Sequence, residues 1–455
     1  MYTQQQQYEK MMRTPIPRLV FSLAIPTVIG MLITSVYNMT DAYFVAGLGE
    51  ESTAAIGVVF SLMALIQAIG FALGMGAGST LSRLLGKQKR QEAAAVILWG
   101  VALALVSGAS LSIAGLFWLE PMMELLGASE TVLPYAVSYG RYILYAVPSM
   151  ILSLVFHNLL RSMGAARQAL AGTALGGIFN IVLDPILIFS LGQGIGGAAI
   201  ATGISQMVSF FFFLVCFWKK RKSPSLSLEV LKRQSGLVLV ILRQGFPSFL
   251  RQGLASVATI LLNRQTRGYG DDALAAFSLA GRVFAVLFCV VIGFGQGFQP
   301  VAGYNYGAGK WKRVREAFYF TLFVETGFMM LLGLRGFSLS EELMSLFLAK
   351  NERVILIGSA VLRWQFVTLG FVPLGVVSNM LFQSVGKNGI STLLSACRQG
   401  IFFVPLLYLL SFVWGLNGLV MTQALADVLS ALICIPFDVR FLKKVNSNES
   451  KHGMS

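Results

Sequence analysis

The chain has 455 residues, of which 56% are hydrophobic and only 12% charged, with a mean hydropathy of +0.72. A soluble domain carries about 25% charged residues, so a soluble enzyme or binding module is excluded and a polytopic membrane protein is indicated. The net charge of +15 does not call for nucleic acid, because the Lys and Arg residues gather in and beside loops.

Met1–Arg18 is polar and basic and has no apolar core of its own, so the first span is expected to serve as the insertion signal. Apolar runs of about 20 residues or more, each long enough to cross roughly 30 Å of hydrocarbon, then follow in order. They lie near 19–46, 54–82, 93–119, 134–160, 168–191 and 196–218, and near 237–263, 273–299, 316–336, 354–382, 390–413 and 418–439. Unpaired backbone groups are not tolerated in lipid, and no alternation of strand type is visible, so all twelve are expected to be helices. Cys216, Cys289, Cys397 and Cys434 fall inside these runs without C-x-x-C spacing, and we read them as packing residues.

The basic residues alternate between loops. Lys87, Lys89, Arg90, Arg161, Arg167, Lys310, Lys312 and Arg313 fall on one side, with Lys219–Lys222 and Lys443–Lys444, and the acidic Glu50, Glu51, Glu120, Glu124 and Asp271–Asp272 fall on the other. By the positive-inside rule both termini are expected in the cytoplasm of a cell (plasma, inner) membrane.

The chain also repeats itself at an offset of 221 or 222. Ala24-Ile-Pro26 matches Gly245-Phe-Pro247, Gly74-Met-Gly76 matches Gly295-Gln-Gly297, and Leu159-Leu-Arg-Ser-Met-Gly164 matches Leu381-Phe-Gln-Ser-Val-Gly386. Six spans per repeat put both halves in the membrane with the same orientation, around an axis along the membrane normal and a central cavity. The expected divisions are a cytoplasmic segment 1–18, an N-lobe 19–218, a cytoplasmic linker 219–236, a C-lobe 237–439 and a cytoplasmic tail 440–455. An alternating-access carrier needs this layout, whereas a channel or receptor does not.

Ionisable residues within spans are costly, by roughly 2.5–3.5 kcal/mol on insertion scales. Asp41, Asp184, Glu325 and Asp427 are such residues. Asp41 lies some six residues before the loop that follows the first span, Asp184 near the end of the fifth, and Thr202 near the start of the sixth. At 1.5 Å per residue all three sit roughly 9–12 Å below the same surface. Asn180 precedes Asp184 by one turn, and Tyr37 stands in the same relation to Asp41. Pro185 frees the Ile181 carbonyl and kinks the fifth span. Two carboxylates, an amide, a hydroxyl and a freed carbonyl at one depth suit a proton or a monovalent cation. If the cation is Na⁺, its ligands are expected to be Asp41, Asn180, Asp184 and Thr202. Asp41 and Asp184 correspond by the repeat to Leu262 and Leu406, so this chemistry belongs to the first half. Pro26 and Pro185 are candidate hinges. Met150, His157, Asn158 and Asn379 are candidate cavity residues. No phosphate-binding loop is present, so the energy source is expected to be an ion gradient, with no cofactor.

The helix run Tyr37-Asn-Met-Thr-Asp41 with Phe44-Val-Ala-Gly-Leu-Gly49, the run Asn180-Ile-Val-Leu-Asp184-Pro185, the segments Gln299-Pro300 and Tyr304-Asn-Tyr-Gly-Ala-Gly309, and the two Ser-x-Gly turns resemble a known family. It is that of the multidrug and toxic compound extrusion (MATE) transporters, in the DinF-type branch close to the MepA-like bacterial multidrug exporters. The resemblance covers nearly the whole chain. It implies an all-α integral membrane protein of the MATE/MOP type, with two pseudo-symmetric six-helix bundles around a V-shaped cavity. It also implies export of lipophilic, often cationic small molecules, coupled to H⁺ or Na⁺ through the residues matching Asp41, Asn180, Asp184 and Thr202. The branch that binds its cation in the C-lobe uses acids in helices 7 and 10, and this chain has Arg251, Gln252 and Arg363 there instead. The protein is expected to act as a monomer in the bilayer. The alternative is a lipid-linked sugar flippase of the same superfamily, for which a strongly cationic cavity is expected.

Overall fold

The computed structural model describes residues 4–219, 234–346 and 351–452. Most of the expected linker, 220–233, lies outside the described residues, as does the end of the tail. A surface helix, Gln4–Arg13, leads into the spans. These are α1 Ile16–Ala46, α2 Glu50–Gly86, α3 Arg90–Phe117, α4 Leu133–Ser162, α5 Ala166–Pro185 with a π turn Ile186–Ser190, and α6 Gly194–Lys219. The second half has α7 Gly236–Arg267, α8 Asp271–Gly307, α9 Trp311–Ser338 and α10 Glu352–Val385, which passes through a 3-10 turn at Leu369–Phe371. It closes with α11, which runs Asn388–Ala396, a π turn Cys397–Ile401 and 403–414, and α12 over 416–452. Short surface helices, Leu119–Leu125 and Ser340–Ser345, follow α3 and α9 at matching places.

Ten stretches pass as spans by length and composition. The Asn388–Ser447 stretch counts once there, but Gly415 breaks it at φ 58°, ψ −135°. Gly236–Arg267, with Arg243, Arg251, Arg264 and Arg267 and several Gln, Ser and Gly residues, is not apolar enough to pass by composition, yet it packs among the others. The described residues thus contain the expected twelve spans and no strand. The duplication shows in the turns. Gly49 and Gly270 start α2 and α8 at φ +118° and +99°, a region glycine enters freely and side chains do not.

The two lobes meet through glycine. A Cβ on Gly76 of α2 would lie 2.2 Å from the Ile241 carbonyl of α7, and one on Gly245 of α7 would lie 2.0 Å from the Ala72 carbonyl. The pseudo-equivalent pair is α8 on α1, where Gly297 meets Ala24 and Gly293 meets Val28. All these contacts fall in the half of the molecule next to the N-terminal face. There α2 is buried continuously over 73–82 and α8 over 291–305, while their other halves alternate between buried and open positions. The lobes are therefore closed against each other on the N-terminal side and splayed on the opposite side.

A polar clasp runs through this closed half. Arg161, only 2% exposed, donates to the Gln296 carbonyl and to Gln299 Oε1 at 3.3 Å across the lobe boundary, and to Asn158 Oδ1 at 2.8 Å within its own lobe. Gln299 Nε2 donates to Gln383 Oε1 at 3.0 Å, and Gln383 Nε2 to the Gln244 carbonyl at 3.0 Å and Ser248 Oγ at 2.8 Å. Gln244 Nε2 returns a bond to the Gln383 carbonyl, and Arg83 Nη2 donates to Gln244 Oε1 at 3.1 Å. Arg161 was expected in a basic loop. It is instead a buried inter-lobe residue, because the end of α4 is covered by α2 and α8.

Candidate functional site

Between the splayed halves lies a cavity of about 620 Å³, lined by both lobes. On the N-lobe side α5 reaches it by close packing. Ser209 Oγ of α6 donates to the Gly172 carbonyl at 3.0 Å, and a Cβ on Gly176 would fall 2.0 Å from that same Oγ. Gly177 lies against Ile33 and Tyr37 of α1. The small faces of α5 therefore set it between α1 and α6, and Asn180 and Asp184 follow one and two turns further on.

At that level the expected residues come together. Asn180 Nδ2 donates to Asp184 Oδ1 at 3.2 Å and faces Thr202 Oγ1 at 3.4 Å. Asp184 is fully buried and Asn180 is 2% exposed. Asp41 is partly buried and accepts from the Tyr139 hydroxyl at 3.5 Å. Tyr139, on α4, faces Asp41, Asp184 and Thr202 at once. Three acceptor oxygens here are buried without a donor: Asp41 Oδ1, Asp184 Oδ2 and Asn180 Oδ1. Buried acceptors are normally satisfied, and a cluster of orphan oxygens around carboxylates has the chemistry to hold a proton or a small cation. Tyr37 lies beside Asp41, Thr34 and Gln206, and Tyr37, Asp41, Asn180 and Thr202 all line the cavity. Asp184 lies behind them.

Tyr139 and Gln206 were not anticipated. Tyr139 stands six residues into α4, the same depth as Asp41, and a depth count extended to hydroxyls would have found it. Met150, His157 and Asn379 line the cavity. His157 packs its ring against Phe213 at 5.9 Å, and Asn379 Nδ2 is bonded to the Ser391 carbonyl and Ser395 Oγ. Asn158 does not face the cavity. It is fully buried and holds Arg161 and the Leu154 carbonyl, because its side of α4 turns toward α2. Pro185 opens the π turn rather than a simple kink. Pro26 is buried in an unbroken α1, between the Ala24 and Val28 contacts with α8.

Of the other span acids, Asp427 pairs with Arg398 at 2.7 Å, and Glu325 is buried with neither oxygen satisfied. A fifth, Asp438, also lies within the twelfth expected span. It accepts from Ser378 Oγ at 2.5 Å. Arg363 pairs with Glu341 at an exposed position. Among the described residues no group of three or more His, Cys, Asp or Glu side chains is arranged to hold a metal.

The fold and the paired helices of this site can be set against known proteins. The chain is 26% identical over 412 residues to the multidrug export protein MepA of Staphylococcus saprophyticus, with 90% of each chain covered. It is 25% identical over 423 residues to MepA of Staphylococcus aureus, covering 92% of this chain and 93% of the relative. Among solved structures it resembles a MATE crystallised with MaL6, at a TM-score of 0.91 and 26% identity, covering 96% and 99% of the two chains. It also resembles an outward-facing multidrug resistance MATE transporter of the MOP superfamily, at a TM-score of 0.90 and 26% identity, covering 96% and 98%. The MatE family model matches residues 26–186 and 247–409, one copy in each lobe and each beginning at a pseudo-equivalent proline, and the chain therefore belongs to the MatE family.

Proposed function

We propose that the protein is a secondary multidrug exporter that moves lipophilic, often cationic small molecules outward in exchange for inward H⁺, by alternating access between its two lobes. The observation that carries this reading is the set of unsatisfied buried oxygens on Asp41, Asp184 and Asn180, placed at the wall of the inter-lobe cavity. With both carboxylates ionised, the wall favours a cationic substrate. A proton arriving from the splayed side neutralises it, satisfies an orphan acceptor and weakens substrate binding. Asn180, held in turn by Thr202, orients Asp184, and Tyr139 links the two acids. Pro26 lies at the α1–α8 contact, so a bend there moves the Asp41 half of α1 against the C-lobe.

In this reading the basic N-terminal face is cytoplasmic, the membrane is the plasma (inner) membrane, and the arrangement described is outward-facing. The N-lobe is 19–218 and the C-lobe 237–439. One chain lines the whole cavity, which supports action as a monomer. A lipid-linked sugar flippase is less well supported, because it calls for a strongly cationic lining and the N-lobe wall of this cavity carries Asp41 instead.

The coupling ion is tested in proteoliposomes loaded with ethidium. An imposed H⁺ gradient is expected to drive counterflow, and a Na⁺ gradient alone is not. Transport by Na⁺ alone would replace the proton with Na⁺ at the same oxygens, and transport by neither would end the antiport reading. Tyr139→Phe keeps the ring and removes the hydroxyl that faces both acids. It is expected to slow proton-driven efflux about tenfold, the effect of losing one hydrogen bond to a charged group. Equal rates for Tyr139→Phe and the wild type would remove Tyr139 from the site.

A further inference from the structure

The C-lobe wall of the same cavity carries the opposite charge. Arg398 sits in the π turn Cys397–Ile401 of α11. Its Nε donates to Asp427 Oδ1 at 2.7 Å and its Nη2 to Asp427 Oδ2 at 3.3 Å. Gln423 Nε2 adds a further donor to Oδ1 at 2.8 Å, so the charge of Asp427 is fully engaged. The Arg398 guanidinium also lies 4.3 Å from the Phe288 ring centroid and 5.5 Å from that of Phe284. Arg251 of α7 lines the cavity as well. It has no ion-pair partner among the described residues, and another cation, Arg161, lies close enough for the two charges to repel. The two helices adjoin here, with Leu254, one turn beyond Arg251, packed on Gly400.

A cation in a low-dielectric cavity carries a desolvation cost until an anion meets it. Arg398 has its anion and Arg251 does not. We infer that Arg251 is an anion subsite, and that the substrates of this transporter include amphiphiles bearing a carboxylate. The carboxylate pairs with Arg251, the apolar body rests on Phe284 and Phe288, and any amine on the same molecule points toward Asp41. The inference rests on reading this cavity as the substrate cavity, but not on the coupling ion.

The test uses a free-acid rhodamine dye and its methyl ester, which differ only at the carboxyl group. Binding to the purified full chain in nanodiscs is read by fluorescence polarisation. The wild type is expected to bind the acid at least as tightly as the ester. Arg251→Gln is expected to lower the acid-to-ester affinity ratio about tenfold, the range of one charge-assisted hydrogen-bonded pair. Arg251→Lys is expected to restore most of it. An unchanged ratio in Arg251→Gln, a wild type that does not bind the acid, or loss of both dyes that Lys does not rescue overturns the subsite. If the ratio shifts as expected while proteoliposomes transport neither dye under any gradient, the subsite stands and the antiport reading fails.

Discussion

Asp41→Asn is expected to reduce gradient-driven efflux of ethidium to the level of protein-free vesicles. The amide keeps the volume of the carboxylate and still accepts from the Tyr139 hydroxyl, which lies 3.5 Å from Asp41 Oδ2. What it loses is the ability to take up and release a proton. The second acid cannot substitute, because Asp184 is fully buried behind Asn180 and does not line the cavity. In the proposed mechanism Asp41, which lines the cavity, is the acid that substrate and proton both reach, so competition between them passes through it. Asp184→Asn is expected to have the same outcome by a different route, since it removes the charge that Asn180, itself held by Thr202, orients. Thermal stability of each purified variant separates loss of coupling from loss of fold. Efflux at the wild-type rate in a folded Asp41→Asn protein would end the proposed mechanism.

The second large effect concerns the closed contact between lobes. Gly245→Ala adds one methyl group, 2.0 Å from the Ala72 carbonyl of the facing helix. Backbone cannot swing aside as a side chain can, and overpacking of this kind costs about 1–3 kcal/mol or more. The penalty falls only on the arrangement in which α2 and α7 touch, so the balance between closed and open arrangements shifts by roughly 5- to 150-fold. Ser82 reports the change, since it is 1% exposed against Gly303 of the other lobe. In a background without native cysteines, Ser82→Cys is expected to react with a maleimide from the N-terminal face much faster when Gly245→Ala is present. Gly253→Ala on the same helix, where nothing lies within 4 Å of the added atom, is expected to leave labelling unchanged. Equal labelling in the two alanine variants would show that the close approach does not hold the lobes together.

Hydropathy, the 221–222 offset and the depth of acids in their spans were enough to determine the twelve helices, the two parallel lobes, and the meeting of Asp41, Asn180, Asp184 and Thr202 at one level. These are periodic or one-dimensional properties, fixed by helix rise and by the thickness of the hydrocarbon. Rotation of each helix about its own axis is not one-dimensional, and it depends on which small residues let which neighbours approach. That rotation turns Asn158 away from the cavity and toward Arg161, brings Tyr139 between the two acids, and leaves Asp184 behind Asn180. It also buries Arg161 and Arg83 in an inter-lobe clasp with Gln244, Gln299 and Gln383. By charge alone these two arginines read as loop residues, because the sequence carries no mark of a partner 135 or more positions away. The same holds on the C-lobe wall. Charge alone offers Arg251, Arg282 and Arg398 alike as partners for Asp427, and it is the π turn in α11 that brings Arg398 to it while Arg251 faces the cavity. The sequence by itself therefore determined the scaffold and the depth of the charges. Only the tertiary structure decided which charges are paired, because pairing depends on contacts between helices that are close in space and far apart along the chain.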